Sequence, residues 1–426
     1  MAIRLLGDVR AIRHYAAKVD RLRQELDRLS VGRATGGAPL VIGLRGDEPH
    51  QMALMADSLI TDGFRLVLLP KATFNLEGTQ VGASLDALVD MDAESVVGCI
   101  RNSGGDLPPF DVIYFTSGST GQPKGIGVSL DILHLTADWY RLIYRLDKAS
   151  VIVTSLPFSY NFTFVAAFCQ AKFFGTGLAF GAPHELSGLC QQQVQQERRT
   201  ILLANPIILE HFLGARSGAC PGLLIDSGGA PLSQYAIEAI RAEIADLREG
   251  YGLSETCSLT HFDLIGDARS LGTVGQPMPG VVTELRCNPK GQPELWIQSP
   301  NTCSWIEATD LKGLAAGTMI NTGDLGAVDL HGNLRLLARA DDHQINGLWP
   351  RDTLDVLGPV LGTRCAMIQH KTQTPRVSIS VWRPLNRARG DQLVKQASTA
   401  LNLPPNQIGI HVSVGSLLHS IKLPRR

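Results

Sequence analysis

Apolar runs of strand length alternate with helical stretches along the first part of the chain. PLVIGL (39–44), FRLVLLP (64–70) and VIYFTSG (112–118) are apolar runs, and the stretches 22–29 and 52–60 have helical spacing. Strands that alternate with helices form βαβ units. The pattern therefore predicts an α/β fold with mainly parallel sheets and flanking helices.

Three later apolar runs end in polar or glycine-rich turns. They are SVIVTSLP (150–157), TILLAN (200–205) and GLLIDSGG (222–229). Ligands of α/β proteins gather at the carboxyl ends of the strands. We therefore expect a ligand site where these turns lie.

At about residue 270, short strands and turns replace the alternation of strands and helices, and we expect the large domain to include a small, distorted β-barrel-like part. Further on, strands are predicted at 364–370, 376–382 and near 409–414, with a helix near 390–402. We expect two domains, a large one over 1–340 and a small α+β domain over 341–426.

Composition narrows the class of protein. The 426 residues are 44% apolar, and 39 basic residues stand against 40 acidic ones, so neither a nucleic acid nor a membrane surface is an expected partner. None of the eight cysteines forms a CxxC pair, which is typical of reduced thiols in a cytoplasmic protein. The charge-free run 149–171 contains Pro157, Ser159 and Asn161, and it predicts a strand, a turn and a buried helix rather than a membrane span.

The segment TSGSTGQPKG (116–125) follows a predicted strand. Glycines there let backbone N–H groups form a nest for anionic oxygens, the hydroxyls add donors, and Lys124 adds charge. A Walker A loop requires GxxxxGK[ST], whereas this chain has Pro123 before Lys124 and Gly125 after it. The segment predicts a phosphate-binding loop, with a plain surface turn or a conventional P-loop NTPase as alternatives.

TSGSTGQPKG resembles, position for position, the phosphate-binding loop of the AMP-forming adenylating enzymes: acyl- and aryl-CoA ligases, peptide-synthetase adenylation domains and luciferases. Further segments resemble this family's motifs in the same order between about 112 and 342. They are SGGAPL (227–232), YGLSET (251–256), VGQPMPG (274–280), PELWIQSP (293–300), NTGDLG (321–326) and RADD (339–342).

The resemblance implies that ATP and Mg²⁺ convert a carboxylic acid to an acyl adenylate, which a phosphopantetheine thiol of CoA or of an acyl carrier protein then accepts. Glu255 would bind Mg²⁺, and Lys422, Ser254 and Lys124 would act in catalysis. Ser254 stands where the family usually has a threonine that contacts the α-phosphate. The residues implied to bind ATP are Thr116, Ser117, Gly118, Ser119, Thr120, Gly121, Lys124, Gly228, Gly229, Ala230, Tyr251, Gly252, Ser254, Asp324 and Arg339.

Individual roles also follow from the resemblance. Tyr251 would stack on adenine, Asp324 would accept both ribose hydroxyls, and Arg339 would reach the ribose or the phosphates. Taken alone, Asp324 could cap a turn and Arg339 could pair with Asp341.

The C-terminal part resembles the family less closely. In SLLHSIKLPRR (416–426), Lys422 occupies the position of the lysine that the family's small mobile domain brings into the site, but Ile421 replaces the usual glycine. Asp341 is the expected hinge residue. The chain is several residues short between Asn346 and Pro350, where relatives line the pantetheine path, and this leaves thioester formation open.

The acid itself is the least defined part of the prediction. LPFSYNFTF (156–164) lies where relatives shape the acyl pocket, with Ser159 in place of a frequent histidine. A small aromatic or short acyl acid is expected in preference to an amino acid. The candidate pocket residues, which could equally be core or strand-end residues, are Phe158, Tyr160, Asn161, Phe162 and Asp226.

Three functional hypotheses remain. The first is a ligase that loads a small acid onto CoA or onto a holo carrier protein, the latter as a dedicated acceptor in secondary metabolism. The second is an adenylating enzyme whose thioester-forming step is modified or lost. The third is a degenerate nucleotide-binding regulator on the same fold.

Overall fold

A computed structural model describes residues 3–30, 39–70, 79–98, 107–116, 124–215, 218–264, 266, 270–307, 311–315, 317–362, 365–382 and 384–412. The chain divides into two units, each with its own strands and helices. The first unit comprises Met1–Phe180, Leu253–Ser258 and Pro300–Thr318, and the second Gly181–Gly252, Leu259–Ser299 and Met319–Arg426.

The helices and strands of the described residues are numbered here in chain order. The helices are α1 (Val9–Ser30), α2 (Pro49–Thr61), α3 (Gln80–Ser84), α4 (Leu130–Tyr144), α5 (Asn161–Thr163), α6 (Cys169–Phe174), α7 (Leu186–Gln195), α8 (Pro206–Ala215), α9 (Gln234–Glu243), α10 (Pro350–Leu361) and α11 (Arg387–Leu401). A π-helical turn, Phe164–Phe168, joins α5 to α6.

The strands are β1 (Arg4–Leu6), β2 (Val41–Arg45), β3 (Arg65–Leu68), β4 (Ala87–Asp90), β5 (Ser95–Gly98), β6 (Val112–Thr116), β7 (Lys124–Val128), β8 (Val151–Thr154), β9 (Gly177–Phe180), β10 (Thr200–Ala204), β11 (Leu223–Ser227), β12 (Asp246–Tyr251), β13 (His261–Phe262), β14 (Gln276–Pro277), β15 (Val282–Cys287), β16 (Pro293–Gln298), β17 (Trp305–Glu307), β18 (Leu311–Gly313), β19 (Met319–Val328), β20 (Leu334–Arg339), β21 (Ala366–His370), β22 (Val377–Val381) and β23 (Ile408–Val412).

The first unit contains an eight-stranded sheet in the order β18-β17-β7-β6-β3-β2-β4-β5. Its central strands β6, β3, β2 and β4 run parallel, as buried apolar strands in βαβ units do. A separate parallel run joins β1, β9 and β8. The apolar runs 39–44, 64–70 and 112–118 therefore supply neighbouring strands, as the sequence predicts.

The described residues of the second unit contribute strands to three sheets. Strands β10, β11 and β12 are parallel, and the short β13 and β14 add antiparallel to the β12 edge. Strands β15, β16, β19 and β20 form an antiparallel sheet in the region predicted to be barrel-like. Near the C-terminus β21, β22 and β23 form a sheet that packs with α10 and α11 around a core running from Ile345 to Ile408.

The α/β fold class is confirmed, and the run 149–171 forms β8 and part of a buried helical stretch. Helices were predicted only at 22–29, 52–60, near 390–402 and within 149–171. Helix α1 begins earlier than predicted, at Val9, and the helices not predicted individually are α3, α4, α7, α8, α9 and α10. The boundary between domains at residue 341 stays a prediction. No helix in the described ranges is long and apolar enough to cross a bilayer.

Gly127 on β7 lies directly opposite Trp305 on β17. A Cβ added there would lie 2.1 Å from Cε2 and 2.4 Å from Nε1 of the fully buried indole. We expect Gly127→Ala to lower the free energy of unfolding by about 3 kcal/mol, because the packed ring has no room to move. Urea denaturation measures this change.

Gly188→Ala is the matched control. Gly188 lies within α7, and a Cβ added there meets nothing within 4 Å. This variant should be neutral or gain up to about 1 kcal/mol, because alanine is the better helix former. Equal unfolding midpoints for the two variants would contradict the overlap at Trp305.

Candidate active site

Two strand ends of the second unit form the base of the candidate nucleotide site. Gly228, Gly229 and Ala230 follow the carboxyl end of β11, and Tyr251 is the last residue of the parallel neighbour β12. The N–H of Gly228 donates to the carbonyl of Ala204 at 3.0 Å, and Gly229 has a φ of +87°, which favours glycine. Thus the sequence-predicted adenine-binding segment and Tyr251 share one edge of the sheet.

A buried carboxylate fixes the turn after β11. Glu249 on β12 is 5% exposed and accepts the backbone N–H of Leu232 at 3.0 Å. Burial raises the pKa of Glu249, although Arg351 on α10 opposes the shift with Nη2 3.6 Å from Oε2. The sequence did not identify Glu249 as a site residue. It lies two residues before Tyr251 and holds the turn after β11 through its hydrogen bond with Leu232.

The side chains of Tyr251, Asp324 and Arg339 meet in the second unit. The Tyr251 hydroxyl donates to Asp324 Oδ2 at 2.7 Å, and Arg339 Nη1 donates to Asp324 Oδ1 at 2.6 Å. The strand register places Asp324 on β19 directly opposite Arg339 on β20. Three residues that the sequence assigns to one nucleotide are therefore brought together, and Arg339 forms its ion pair with Asp324.

The protonation states in this cluster follow from its surroundings. Burial and the neighbouring Asp324 raise the pKa of Tyr251 well above its usual value, so the phenol stays a neutral donor. Burial opposes the charge of Arg339, but Asp324 outweighs it and raises the pKa of Arg339. The result is a fixed carboxylate between a phenol and a guanidinium.

This cluster fits the ribose of ATP. An ionised carboxylate has about four lone-pair sites, so the bonds from Tyr251 and Arg339 leave Asp324 able to accept two hydroxyl donors. Arg339 Nε is buried and has no hydrogen-bond partner in the part of the chain that the structure describes. A ligand oxygen would satisfy it.

His261 supports Tyr251 from the adjacent strand. It lies opposite Tyr251 in the β12–β13 pair, with ring centroids 6.1 Å apart. Its Nδ1 lies 3.0 Å from Thr260 Oγ1, and its Nε2 lies 2.9 Å from Thr283 Oγ1. Burial lowers the pKa of His261 to about 3, so the folded protein holds a neutral imidazole here.

This buried histidine predicts a loss of stability in acid. In the unfolded chain His261 binds a proton below about pH 6.5, whereas in the folded protein it does so only near pH 3. Between these values the folded state therefore loses stability as the pH falls. The free energy of unfolding should fall by up to about 1.4 kcal/mol per pH unit from this group. Urea midpoints measured from pH 7 to pH 4 test the slope.

His261→Gln should flatten that slope, because glutamine keeps a polar side chain that does not titrate. His211→Gln is the control, since His211 is exposed on α8. If His261→Gln and His211→Gln show the same pH dependence, the buried neutral imidazole does not cause the acid instability.

The first unit carries the phosphate-side candidates. Thr116 ends β6 and pairs with Lys124, the first residue of β7, so these two residues form the stem of the predicted phosphate loop. The loop residues Ser117, Gly118, Ser119, Thr120 and Gly121 lie outside the described residues. Their roles remain predictions.

Ser254 and Glu255 lie on a single 3₁₀ turn whose backbone carbonyls are hydrogen-bonded. The carbonyl of Ser254 accepts the hydroxyl of Tyr114 at 2.8 Å, and the carbonyl of Glu255 accepts the N–H of Cys303 at 2.8 Å. The Ser254 hydroxyl and the Glu255 carboxylate make no hydrogen bond or ion pair with any described residue. Both groups can therefore meet a ligand.

The donor chemistry of Glu255 fits Mg²⁺. A half-exposed carboxylate oxygen is a ligand that Mg²⁺ accepts, with waters and substrate phosphates completing the octahedron. Within the described ranges no group of three histidine, cysteine or acidic side chains forms a ready-made metal cage. One carboxylate plus phosphates is the arrangement typical of Mg²⁺ with ATP.

The three aromatic residues predicted to line the acid pocket have different surroundings in the structure. Phe158 is 3% exposed and packs edge-to-face on Phe164 and Phe168, so its ring belongs to an aromatic core. Burial raises the pKa of Tyr160 to about 12, which keeps its hydroxyl protonated. Phe162 is 7% exposed and lies against Tyr140, with ring centroids 6.2 Å apart.

Two polar pocket candidates are nearly inaccessible. Asn161 begins α5 and is 5% exposed, and Asp226 in β11 is 1% exposed. Their roles stay predictions.

The predicted hinge leads into a tight turn. Asp341 is exposed two residues after the end of β20, and the chain then turns at Asn346 and Gly347, with φ of +51° and +78°. Ile345 and Leu348 exchange both backbone hydrogen bonds at 3.0 Å, as in an Asn-Gly hairpin turn. This turn closes the stretch that is short in sequence. Lys422 lies outside the described residues.

Comparison with known proteins finds relatives of this chain. A family model described as AMP-binding enzyme matches residues 102–304. A 2-succinylbenzoate–CoA ligase of Bacillus pumilus (strain SAFR-032) is 23% identical over 371 residues, 79% of this chain and 74% of that ligase. A 2-succinylbenzoate–CoA ligase of Staphylococcus aureus (strain bovine RF122 / ET3-1) is 27% identical over 303 residues, 67% of this chain and 60% of that ligase. This chain thus spans about three fifths of the latter's length.

Solved structures share the fold. An o-succinylbenzoate CoA synthetase from Bacillus subtilis, in complex with an acyl-adenylate intermediate, superposes with a TM-score of 0.69 at 18% identity, covering 99% of this chain and 92% of that one. An anthranilate CoA ligase in complex with anthranoyl-AMP gives 0.70 at 15% identity, covering 100% and 91%. At these identities the likeness establishes the fold alone.

Proposed function

Because this chain belongs to the superfamily of AMP-forming adenylating enzymes, we propose that it is an acid–thiol ligase. It activates a small carboxylic acid with ATP and transfers the acyl group to a thiol. In the first step a carboxylate oxygen bonds to the α-phosphorus of ATP and pyrophosphate leaves. In the second step a thiol sulfur attacks the acyl carbonyl and AMP leaves.

The cluster of Tyr251, Asp324 and Arg339 is the observation that carries this proposal. Sequence motifs separated by more than 70 positions converge on one buried carboxylate with spare lone pairs. A ribose with two vicinal hydroxyls is a matched donor pair for it. The cluster therefore favours a protein that binds a nucleotide over one that has the same fold but binds no nucleotide.

The remaining residues take roles by the motifs they occupy. Thr116 and Lys124 would bind the β- and γ-phosphates together with the loop that they flank, and the Ser254 hydroxyl would contact the α-phosphate. Mg²⁺, held by Glu255, would supply positive charge against the phosphate oxygens. Lys422 would neutralise the attacking carboxylate and the α-phosphate.

CoA is the proposed acceptor. The relatives and solved structures of similar sequence or fold are named as CoA ligases. The Asn346–Gly347 turn closes the short stretch in a hairpin, and this supports a trimmed pantetheine path. A holo carrier protein remains the second candidate, since its arm carries the same thiol.

A small aromatic acid is the proposed substrate class. The four named comparison proteins act on, or are bound to, aryl acids or their adenylates. The aromatic residues Tyr160 and Phe162, whose ring centroids lie 6.3 Å apart, would supply an apolar wall that suits a flat ring. We further propose that the reaction takes place in the cytoplasm, where ATP and CoA are available.

One assay tests both the acid and the thiol. The purified protein is incubated with ATP, Mg²⁺ and a panel of aryl and short acyl acids, with CoA or a holo carrier protein, and thioesters are identified by mass spectrometry. Acyl-CoA formation with an aryl acid is the expected result. Adenylate without thioester under both conditions would contradict the ligase and favour an adenylating enzyme that lacks the second step.

A further inference from the structure

A buried tyrosine joins the strand of the phosphate loop to the turn that carries Ser254 and Glu255. Tyr114 on β6 is fully buried, its hydroxyl donates to the carbonyl of Ser254 at 2.8 Å, and it lies 3.4 Å from Cys257 Sγ. Burial, with Cys257 as a further cause, raises the pKa of Tyr114 well above its usual value. The phenol is therefore a permanent donor.

Strand register shows which face Tyr114 serves. Side chains two residues apart on a strand point to the same face, and directly opposed residues share a face. Tyr114 therefore shares its face with Thr116, and Lys124 lies opposite Thr116 on that face too. The turn that Tyr114 holds is thus fastened on the face to which the two stem residues of the phosphate loop project.

Three successive carbonyls of the turn are each fixed by a different donor. Tyr114 holds the carbonyl of Ser254, the N–H of Cys303 holds that of Glu255, and Asn301 Nδ2 holds that of Thr256 at 2.7 Å. Asn301 is fully buried, and its amide also donates to Thr136 on α4 at 3.1 Å. All three carbonyls of the turn are thus hydrogen-bonded, whereas the Ser254 hydroxyl and the Glu255 carboxylate make no hydrogen bond or ion pair with a described residue.

We propose that Tyr114 is a positioning residue for the metal–nucleotide site: its hydroxyl sets where the Ser254 hydroxyl and the Glu255 carboxylate stand relative to Thr116 and Lys124. This proposal rests on the proposed function, because those four residues act only if the protein binds a metal–nucleotide complex. Partners that orient a metal ligand typically affect metal affinity by about 10–100-fold.

Tyr114→Phe removes one oxygen atom and tests the proposal. Mn²⁺ binding is followed by electron paramagnetic resonance in the presence of a non-hydrolysable α,β-methylene analogue of ATP. The dissociation constant for Mn²⁺ should rise about tenfold. In turnover, the Mg²⁺ concentration for half-maximal pyrophosphate release should rise by a similar factor. Acyl transfer from supplied acyl adenylate to CoA should change less, because of the positioned groups only Ser254 would still contact the α-phosphate.

Tyr144→Phe is the matched control, since Tyr144 is also fully buried but lies on α4 against the ring of Tyr140. A Mn²⁺ dissociation constant for Tyr114→Phe within twofold of this control would overturn the proposal. A Tyr114→Phe protein that melts far below the control would overturn it too, because the hydroxyl would then serve stability. Wild-type Mn²⁺ binding without acid-dependent pyrophosphate release would refute the proposed function, and the binding comparison would still decide the role of Tyr114.

Discussion

Asp324→Asn should lower kcat/KM for ATP by about a hundredfold or more, which corresponds to ~3 kcal/mol. Asparagine keeps the shape but removes the charge that holds Arg339 Nη1 at 2.6 Å and the Tyr251 hydroxyl at 2.7 Å. Its amide nitrogen also puts a donor where a ribose hydroxyl needs an acceptor. The effect should fall mainly on KM for ATP, because the ribose does not react.

Acid-dependent pyrophosphate release measures this change at varied ATP. Asp246→Asn is the control, since Asp246 is an exposed carboxylate that pairs with Arg248 at 2.9 Å on the surface of the same unit, and such pairs have little effect. An unchanged KM for ATP in a folded Asp324→Asn protein would show that the buried carboxylate does not bind the nucleotide.

Lys422→Ala should slow acyl-adenylate formation by about a hundredfold to a thousandfold. The family resemblance places this lysine where a carboxylate and the α-phosphate, both anionic, approach each other. A long cationic side chain lowers the cost of that approach, so its loss should act on kcat of the first step. The second step, measured with supplied acyl adenylate and CoA, should persist, because no second anion has to be brought in.

Lys395→Ala provides the comparison, since Lys395 is an exposed residue of α11. Equal rates of pyrophosphate release for the two variants would remove Lys422 from the mechanism. Loss of both steps together would indicate that Lys422 contributes to binding in both steps and has no specific role in adenylate formation.

Apolar runs predicted the strands of the fold well because buried parallel strands carry continuous apolar sequence. β3, β6 and β10 lie within the predicted runs. Helix α10 was missed because Gly358 and Pro359 stand inside it, and both residues normally weaken a helix. It forms because Pro350 suits the first turn and because Leu354, Leu357 and Leu361 pack in the C-terminal core.

The sequence predicted those residues of the candidate site whose side chains are expected to contact the ligand, because that contact requires a particular residue type. Tyr251, Asp324 and Arg339 were named from motifs, and the structure brings them together. Glu249 and Tyr114 were not named from motifs, because each side chain hydrogen-bonds to a backbone group that is distant in sequence. Such a partner is known only from the folded structure. A phenol inside the apolar strand VIYFT was the available signal for Tyr114, since a buried hydroxyl needs a partner.

Isotope exchange between labelled pyrophosphate and ATP, run over a panel of carboxylic acids, tests the central claim most directly. Reversible adenylate formation predicts exchange only when ATP, Mg²⁺ and a suitable acid are all present, with aryl acids among the best. Orthophosphate release without exchange would point to a conventional NTPase. Nucleotide binding without exchange for any acid would contradict the account that this protein is an adenylate-forming ligase.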